Sequence, residues 1–522
     1  MSASNEKNTH QGDLLSGMGG PRTAREAQQR KEERRSNIMY ATIAVLFVLV
    51  AIVTLTWKSG IVQRKATAVS INGENYSAAQ VQYYYTNVYQ SFMNSYSSYA
   101  SMLGLDTSKD LREQECGMSE SGQSWFDYFL DQAITQMTSV RALCDAADAD
   151  GYAWNDDMQK SLDDNMKTLD SNVETYNSTY GASLTTAGYL KTIFGSNMTK
   201  GIYEQELKKG ILASSYSQNH IDGLTYTEDE LESAYAEDPN SYDRVDYESI
   251  RINGKAQSTK DDDGNTVDPT DEETAAALEA AKKLADSFYA SYQSGSSLSD
   301  LADTDDTATY TDGEAGSYSD TVLMNWLFDS SRKAGDSALL TDEDNSAYYI
   351  AVFGSRYRYD YNTVDVRHIL IQPEAGTLSE GDDGYEEEQA SLMADAKKVA
   401  DDLLDQWKNG AATEDSFAEL ANENSSDTGS NTKGGLYTQV YQGEMVSSFN
   451  DWCFDPSRQP GDTGVIETTY GYHVMYFVGT DIPYWQVQVT NTLQNNDYTT
   501  WYTGLTESYT AEQHSFGVKF VG

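Results

Sequence analysis

Val364-Asp365-Val366-Arg367-His368-Ile369-Leu370-Ile371, read together with Thr468-Thr469-Tyr470-Gly471-Tyr472-His473-Val474-Met475, decides the fold. Both runs are rich in β-branched and aromatic residues and have the length of a strand. Each carries one histidine, in a chain of 522 residues that has only five. Between them lie Phe417-Ala418-Glu419-Leu420-Ala421, the polar run Ser425-Ser426-Asp427-Thr428-Gly429, the pair Gly434-Gly435, and Gly443-Glu444-Met445-Val446 followed by Phe449.

The chain contains this pattern twice. Val245-Asp246-Tyr247-Glu248-Ser249-Ile250-Arg251-Ile252 parallels the run from Val364. Ala281-Lys282-Lys283-Leu284-Ala285-Asp286 parallels Ala396-Lys397-Lys398-Val399-Ala400-Asp401, and the run from Trp326 to Asp336 parallels that from Trp452 to Asp462. Tyr348-Tyr349-Ile350 parallels Tyr472-His473-Val474. Self-similarity of this extent implies two tandem copies of one fold, each running strand, helices, strand, strand. The first copy has Ser249, Tyr349 and Leu323 where the second has His368, His473 and Phe449. It keeps the core pattern and lacks the histidine pair, which separates residues the fold needs from residues that chemistry needs.

On these motifs the second copy resembles the parvulin family of peptidyl-prolyl isomerases over essentially its whole length. The resemblance implies that His368 and His473 are paired histidines on neighbouring central strands. It implies that Asp427 is a polar group hydrogen-bonded near them, and that the three form the catalytic set. It also implies that Met445 and Phe449 form the apolar wall that receives the proline ring; their spacing puts both on one face of a helical turn. Where the family has Gly-Gly-Asp-Leu-Gly, this chain has Gly434-Gly435-Leu436-Tyr437-Thr438, so Tyr437 is expected in the substrate wall and reshapes it. The loop after the first strand holds Glu374, Glu380, Asp382, Asp383 and Glu386-Glu387-Glu388 in place of an Arg/Lys cluster, which argues against phosphorylated substrates. The reaction the family carries out crosses a barrier of roughly 20 kcal/mol set by amide resonance. It needs no nucleophile, metal or cofactor, only a site that holds the twisted amide better than either planar form.

Outward toward the N-terminus, residues 38–57 form an apolar run of the length that crosses a bilayer as one helix. Arg30, Lys31, Arg34 and Arg35 precede it, and Lys58, Arg64 and Lys65 follow. The bias favours a cytoplasmic N-terminus and an extracytoplasmic body. The long leader and the absence of a small-residue cleavage site favour an uncleaved signal-anchor. Residues 1–37 read as a disordered cytoplasmic tail.

Thr67 to Ser77 reads as a hairpin turned at Asn72-Gly73, with Ser77 as the N-cap of the next helix. Helical patterns follow over Trp125–Ala149, Asp156–Tyr176, Ser183–Phe194 and Met198–Tyr216, and a capping box opens at Thr227. Trp485, Val489, Leu493, Trp501, Leu505 and Tyr509 predict one or two closing helices, and Phe516 to Val521 a last strand against Ala68 to Ile71. This order resembles the SurA and PrsA-type foldases, in which the C-terminal segment returns to complete an N-terminal chaperone domain.

The expected class is therefore α+β: an N-terminal transmembrane helix, a mainly helical SurA-like chaperone domain, and two tandem parvulin-like domains of which the first is degenerate. The expected layout is a tail at 1–37, an anchor at 38–57, a chaperone domain at 66–240 completed by 482–522, a degenerate copy at 241–360 and a parvulin domain at 361–481. A net charge of −46 disfavours nucleic acid as a partner. The expected partners are unfolded or secreted polypeptides with X-Pro bonds, and the membrane through one helix. The competing reading is a holdase chaperone or scaffold with the same fold and little isomerase activity.

Three cysteines show no metal spacing. Cys453, in Trp452-Cys453-Phe454, reads as a buried small hydrophobe; Cys116 and Cys144 pair only in an oxidising compartment and at a distance that sequence does not fix. Asp148-Ala149-Asp150-Gly151 and Asp261-Asp262-Asp263-Gly264 fail the calcium-loop register, with Ala146 and Thr259 at its first ligand position. They read as a helix end and a solvated loop.

Overall fold

A computed structural model describes residues 39, 42–119, 121–261, 264–316 and 318–522. The expected tail at 1–37, three positions of the apolar run (38, 40 and 41) and Asp262 and Asp263 lie outside the described residues. Residues 42–58 are helical and almost wholly exposed. Among the described residues no helix is long and apolar enough to cross a membrane.

The described chain is a mixture of helices and strands divided into two compact units. Unit 1 comprises the residues up to Gly223 together with Thr499–Gly522. Its hairpin joins β1 (Thr67–Ile71) to β2 (Glu74–Ser77), with Asn72 and Gly73 both at positive φ, as a two-residue hairpin turn demands. Ser77 and Gln80 then close a capping box on the helix Ala78–Tyr96. The helices Trp125–Ala149, Asp156–Tyr180, Thr186–Phe194 and Lys200–Asp222 start at Ser124, Asn155, Thr185 and Thr199, each capping with its side-chain oxygen. Trp125, Phe129, Phe92 and Tyr85 form the aromatic centre of the core beneath β1.

The end of the chain differs from the sequence reading. The closing strand is β13, Ala511–Gln513, paired antiparallel to Val69–Ile71. Ser515–Val518 is a helical turn instead of a strand. A Cβ on Gly517 would sit 2.0 Å from the Thr67 carbonyl oxygen, so the turn lies directly on the backbone of β1. The alternation of Phe516, Val518 and Phe520 conceals an i, i+4 pair, the rings of Phe516 and Phe520 meeting edge-on at 5.3 Å. All three cysteines are free thiols.

Unit 2 comprises Leu224–Tyr498. It opens on the helix Glu228–Glu237, capped by a Thr227–Glu230 box, and ends in the first part of the helix Tyr484–Thr506. Leu231, Tyr242, Trp485 and Val489 pack these two ends together. Between them stand two four-stranded antiparallel sheets. Sheet one is ordered β6-β3-β8-β7, with β3 Asp243–Asn253, β6 Ala308–Ala315, β7 Ser337–Asp342 and β8 Ala347–Arg358. Sheet two is ordered β10-β9-β12-β11, with β9 Asn362–Ile371, β10 Leu436–Val440, β11 Thr463–Thr468 and β12 Gly471–Pro483. In both, the first and last strands in sequence are central and the middle two are edges. The loop read as solvated after β3 carries a two-stranded hairpin of β4 (Thr259–Lys260) with β5 (Thr266–Val267).

The likeness extends to single hydrogen bonds. Asp329 and Asp455 accept from the backbone and hydroxyl of Ser331 and Ser457. Gly335 N–H donates to Phe353 and Gly461 N–H to Phe477, both at 2.8 Å. One face of each sheet is covered by long helices, Asp271–Gln293 in the first and Tyr385–Asn409 with Glu414–Asn424 in the second. The other face carries a smaller apolar cluster under a short helix, Val322–Leu327 or Ser447–Cys453. In sheet two that thinly covered face holds the histidines.

Candidate active site

Alternation along β9 sends Ile369 and Ile371 to the helix-covered core and Val364, Val366 and His368 to the opposite face. β12 does the same with Val474 and with His473, Met475 and Phe477. The register pairs His368 with Met475 and His473 with Leu370, which sets the two imidazoles diagonally on one face. Their Nδ1 atoms are 3.0 Å apart, with His368 3% and His473 5% exposed.

A tight loop brings Asp427 to this pair. Ser425 Oγ accepts from Leu370 N–H, and Ser426 N–H donates to the Leu370 carbonyl, fastening the loop to the end of β9. Asp427 Oδ2 then lies 2.9 Å from His368 Nε2. The same oxygen accepts from the hydroxyls of Ser430 and of Tyr437, the latter at 3.0 Å, and Gly429 N–H donates to Oδ1. At the other end His473 Nε2 is 2.9 Å from Thr468 Oγ1, which itself accepts from Tyr470 N–H at 3.1 Å.

These partners fix the protons. An ionised Asp427 only accepts, so His368 Nε2 carries hydrogen; in neutral His368 the Nδ1 is then an acceptor. His473 must donate from Nδ1, its Nε2 accepts, and the Thr468 hydroxyl donates to it. The result is a one-way chain, Thr468 to His473 to His368 to Asp427, with both rings neutral. Burial pushes His473 down to about 4, with neighbouring His368 adding to the shift. Burial also lowers His368, against the opposing pull of Asp427. Burial resists ionisation of Asp427, but hydrogen bonds from Ser430, His368 and Gly429 outweigh it and hold the carboxyl at about 2.

A pH dependence follows. Between pH 6.5 and about 4 the unfolded chain binds protons at these histidines that the folded site refuses, so stability falls as pH falls through that window. For His473 the loss approaches about 3 kcal/mol at the lower end. Asp427 withdraws its own contribution only below the usual carboxylate range, as pH falls toward about 2. Imidazole NMR titration should show His473 unprotonated down to about pH 4, and urea midpoints should fall over the same interval, less steeply in His473→Gln. An imidazole titrating near 6.5 contradicts this.

Phe449 closes the face. It is 2% exposed, and its ring stands nearly perpendicular to both imidazoles at 5.5 Å. Met445 packs on the same cluster, half-buried, but not from a helical turn as its spacing suggests. The helix begins at Ser447 after an extended Val446, and the Tyr441–Glu444 hydrogen bond holds the preceding residues in a separate turn. Tyr437, expected as a wall residue, lies 5.4 Å from His368 and ties its hydroxyl to Asp427, which places it in the polar cluster as well. Ser430 and Thr468 are the two members that the sequence reading missed. Thr468 sits diagonal to His473 across a two-residue turn, and a hydroxyl at that offset is the signal that would have found it.

A four-stranded antiparallel sheet with paired neutral histidines, an ionised aspartate and an aromatic lid defines a parvulin-type domain. Comparison with known proteins agrees: residues 353–479 match the PPIC-type PPIase domain. Over 87 residues the chain is 32% identical to Foldase protein PrsA 1 of Listeria innocua, covering 17% of this chain and 28% of that one. Over 59 residues it is 37% identical to Foldase protein PrsA of Exiguobacterium sibiricum, covering 11% and 19%. The chain thus spans less than a third of the length of these relatives. The crystal structure of PrsA from Bacillus subtilis aligns with 76% of this chain and 93% of its own at 12% identity, with a TM-score of 0.28.

Proposed function

We propose that this chain is a peptidyl-prolyl cis/trans isomerase and chaperone for secreted proteins, held outside the cytoplasm by residues 38–57. The observation that carries the isomerase reading is the pair of buried, neutral histidines facing Phe449. Phe449 and Met445 would grip the proline ring while the preceding carbonyl turns. The dry face favours the twisted amide, which has lost part of its resonance dipole, over either planar form. The chain from Thr468 to Asp427 holds the rings rigid, so His368, His473 and Asp427 position and stabilise the substrate without transferring a proton. Tyr437 forms part of the substrate wall.

In this reading 66–240 with 482–522 form the chaperone domain, 241–360 the degenerate copy and 361–481 the isomerase. The anchor rests on the apolar run and its flanking charges. The test is cis/trans exchange of an X-Pro peptide followed by exchange NMR with the detergent-solubilised full chain. Acceleration over the uncatalysed rate is expected. No acceleration would reject the enzyme and leave a holdase, which suppression of client aggregation measures separately.

A further inference from the structure

The two sheets share one register. Ile250 faces Ile350 in sheet one as Ile369 faces Val474 in sheet two. Ser249, Arg251 and Tyr349 therefore hold the positions of His368, Leu370 and His473, and Tyr247 holds that of Val366. All four lie on the thinly covered face, because Tyr247 pairs with Phe353, Ser249 with Ala351 and Arg251 with Tyr349.

The chemistry of that face has been exchanged, not merely lost. Ser249 is 3% exposed, and Tyr247, Arg251 and Tyr349 are half-buried. None of the four makes a side-chain hydrogen bond or ion pair within the described chain. Among the described residues Arg251 is the only arginine with no hydrogen bond, ion pair or ring beneath it, in a chain with 82 Asp and Glu against 36 Lys and Arg. Strand parity sends Asp246, Glu248, Asp312 and Glu314 to the opposite face. The two strand carboxylates on this face are committed, Asp243 to Arg356 and Asp342 to Asn345. A half-buried arginine with no anion beside it, set among hydroxyls that bond no other side chain, leaves a cation unmatched on this face and open to a ligand.

We propose that this face binds an extended polypeptide segment through an aspartate or glutamate side chain. Arg251 takes the carboxylate, and Tyr247, Ser249 and Tyr349 hydrogen-bond the flanking groups. Leu323 and Met324 receive a neighbouring apolar side chain, which a free inorganic anion would leave unused. The overall negative charge opposes such a ligand at low salt. At about 0.15 M salt screening acts over about 8 Å, so the local cation decides. This site is independent of the histidine face, and its test separates the two.

The test uses the full chain and a short fluorescein-labelled peptide alternating Glu and Leu, beside its Gln counterpart. Fluorescence anisotropy at about 0.15 M salt should give about tenfold tighter binding of the Glu peptide. Arg251→Gln should bring the two peptides level while leaving X-Pro exchange unchanged, and Arg251→Lys should keep a reduced preference. A preference that survives in Arg251→Gln, or equal affinities in the unaltered chain, would overturn the proposal. So would self-association of the chain that Arg251→Gln abolishes and the peptide merely disperses, since the occupant would then be a second copy.

Discussion

Phe449→Ala should lower kcat/KM for an X-Pro peptide about a hundredfold or more, equivalent to roughly 3 kcal/mol of transition-state stabilisation. The ring is 2% exposed and touches both imidazoles edge-on, so its loss opens the apolar wall proposed to receive the proline ring and admits water beside the histidines. Water would restore the stabilisation of the planar, more polar amide and would compete for the Nδ1–Nδ1 contact. The same change should destabilise the fold by about 3–5 kcal/mol, as for other buried phenylalanines. Cys453→Ala serves as the comparison. Cys453 is 1% exposed in the same cluster, and the hydrogen bonds and ring contacts of both imidazoles are made with other residues, so its loss loosens the packing and leaves those contacts in place. It should leave kcat/KM within about twofold, since changes away from such contacts have small effects. Equal activity losses in the two variants would mean that Phe449 acts only as core.

Gly435→Ala, at the entry to β10, should be severely disruptive for a single added methyl. Gly435 has φ +70°, a conformation that strains any other residue by about 1 kcal/mol or more. A Cβ there would meet the His368 carbonyl oxygen at 2.2 Å and the Ala421 side chain at 3.0 Å. The first of these is backbone and cannot turn aside. Gly435 is also tied to β9, its carbonyl accepting from His368 N–H at 2.9 Å. Relief requires β10 to move off β9, which carries Tyr437 away from Asp427 and His368 off its line with His473. The expected result is a loss of about 3 kcal/mol or more in urea unfolding, together with a His473 imidazole that titrates closer to its ordinary value. An alanine variant with unchanged stability and titration would show that the close approach is not needed.

Sequence carried the site residues farther than the backbone that presents them. The repeat exposed His368 and His473, because a strand position that holds serine in one copy and histidine in the other cannot be essential to packing. It was silent on Thr468 and Ser430, whose roles arise from a hairpin diagonal and a loop closure that bring separated residues within 3 Å or so of the rings. The resemblance puts Met445 in the apolar wall and spacing puts it on a helical turn with Phe449, but the extended Val446 breaks that turn. The final strand was misplaced for a related reason: Phe516, Val518 and Phe520 satisfy both strand alternation and an i, i+4 pair. Only the approach of Gly517 to β1 decides between them. Capping boxes at Ser77 and Thr227 were legible because they are local, made by residues three apart.

The pairing of β1 with β13 also governs the order in which the chain can fold. Val69–Ile71 must wait for Ala511–Gln513, roughly 440 residues later, and closing so long a loop of disordered chain costs on the order of 5 kcal/mol. Unit 2 lies within that loop, and its own ends are already joined, Tyr226 reaching Asp497 at 2.9 Å and Gln494 reaching the Leu224 carbonyl at 3.2 Å. Folding unit 2 first shortens the effective loop. Because closure entropy is logarithmic in length, the thermodynamic gain is only about 1 kcal/mol. The larger consequence is temporal. As the chain is synthesised, unit 2 can be complete while β1 still presents an unpaired edge, of the kind that invites pairing with other chains.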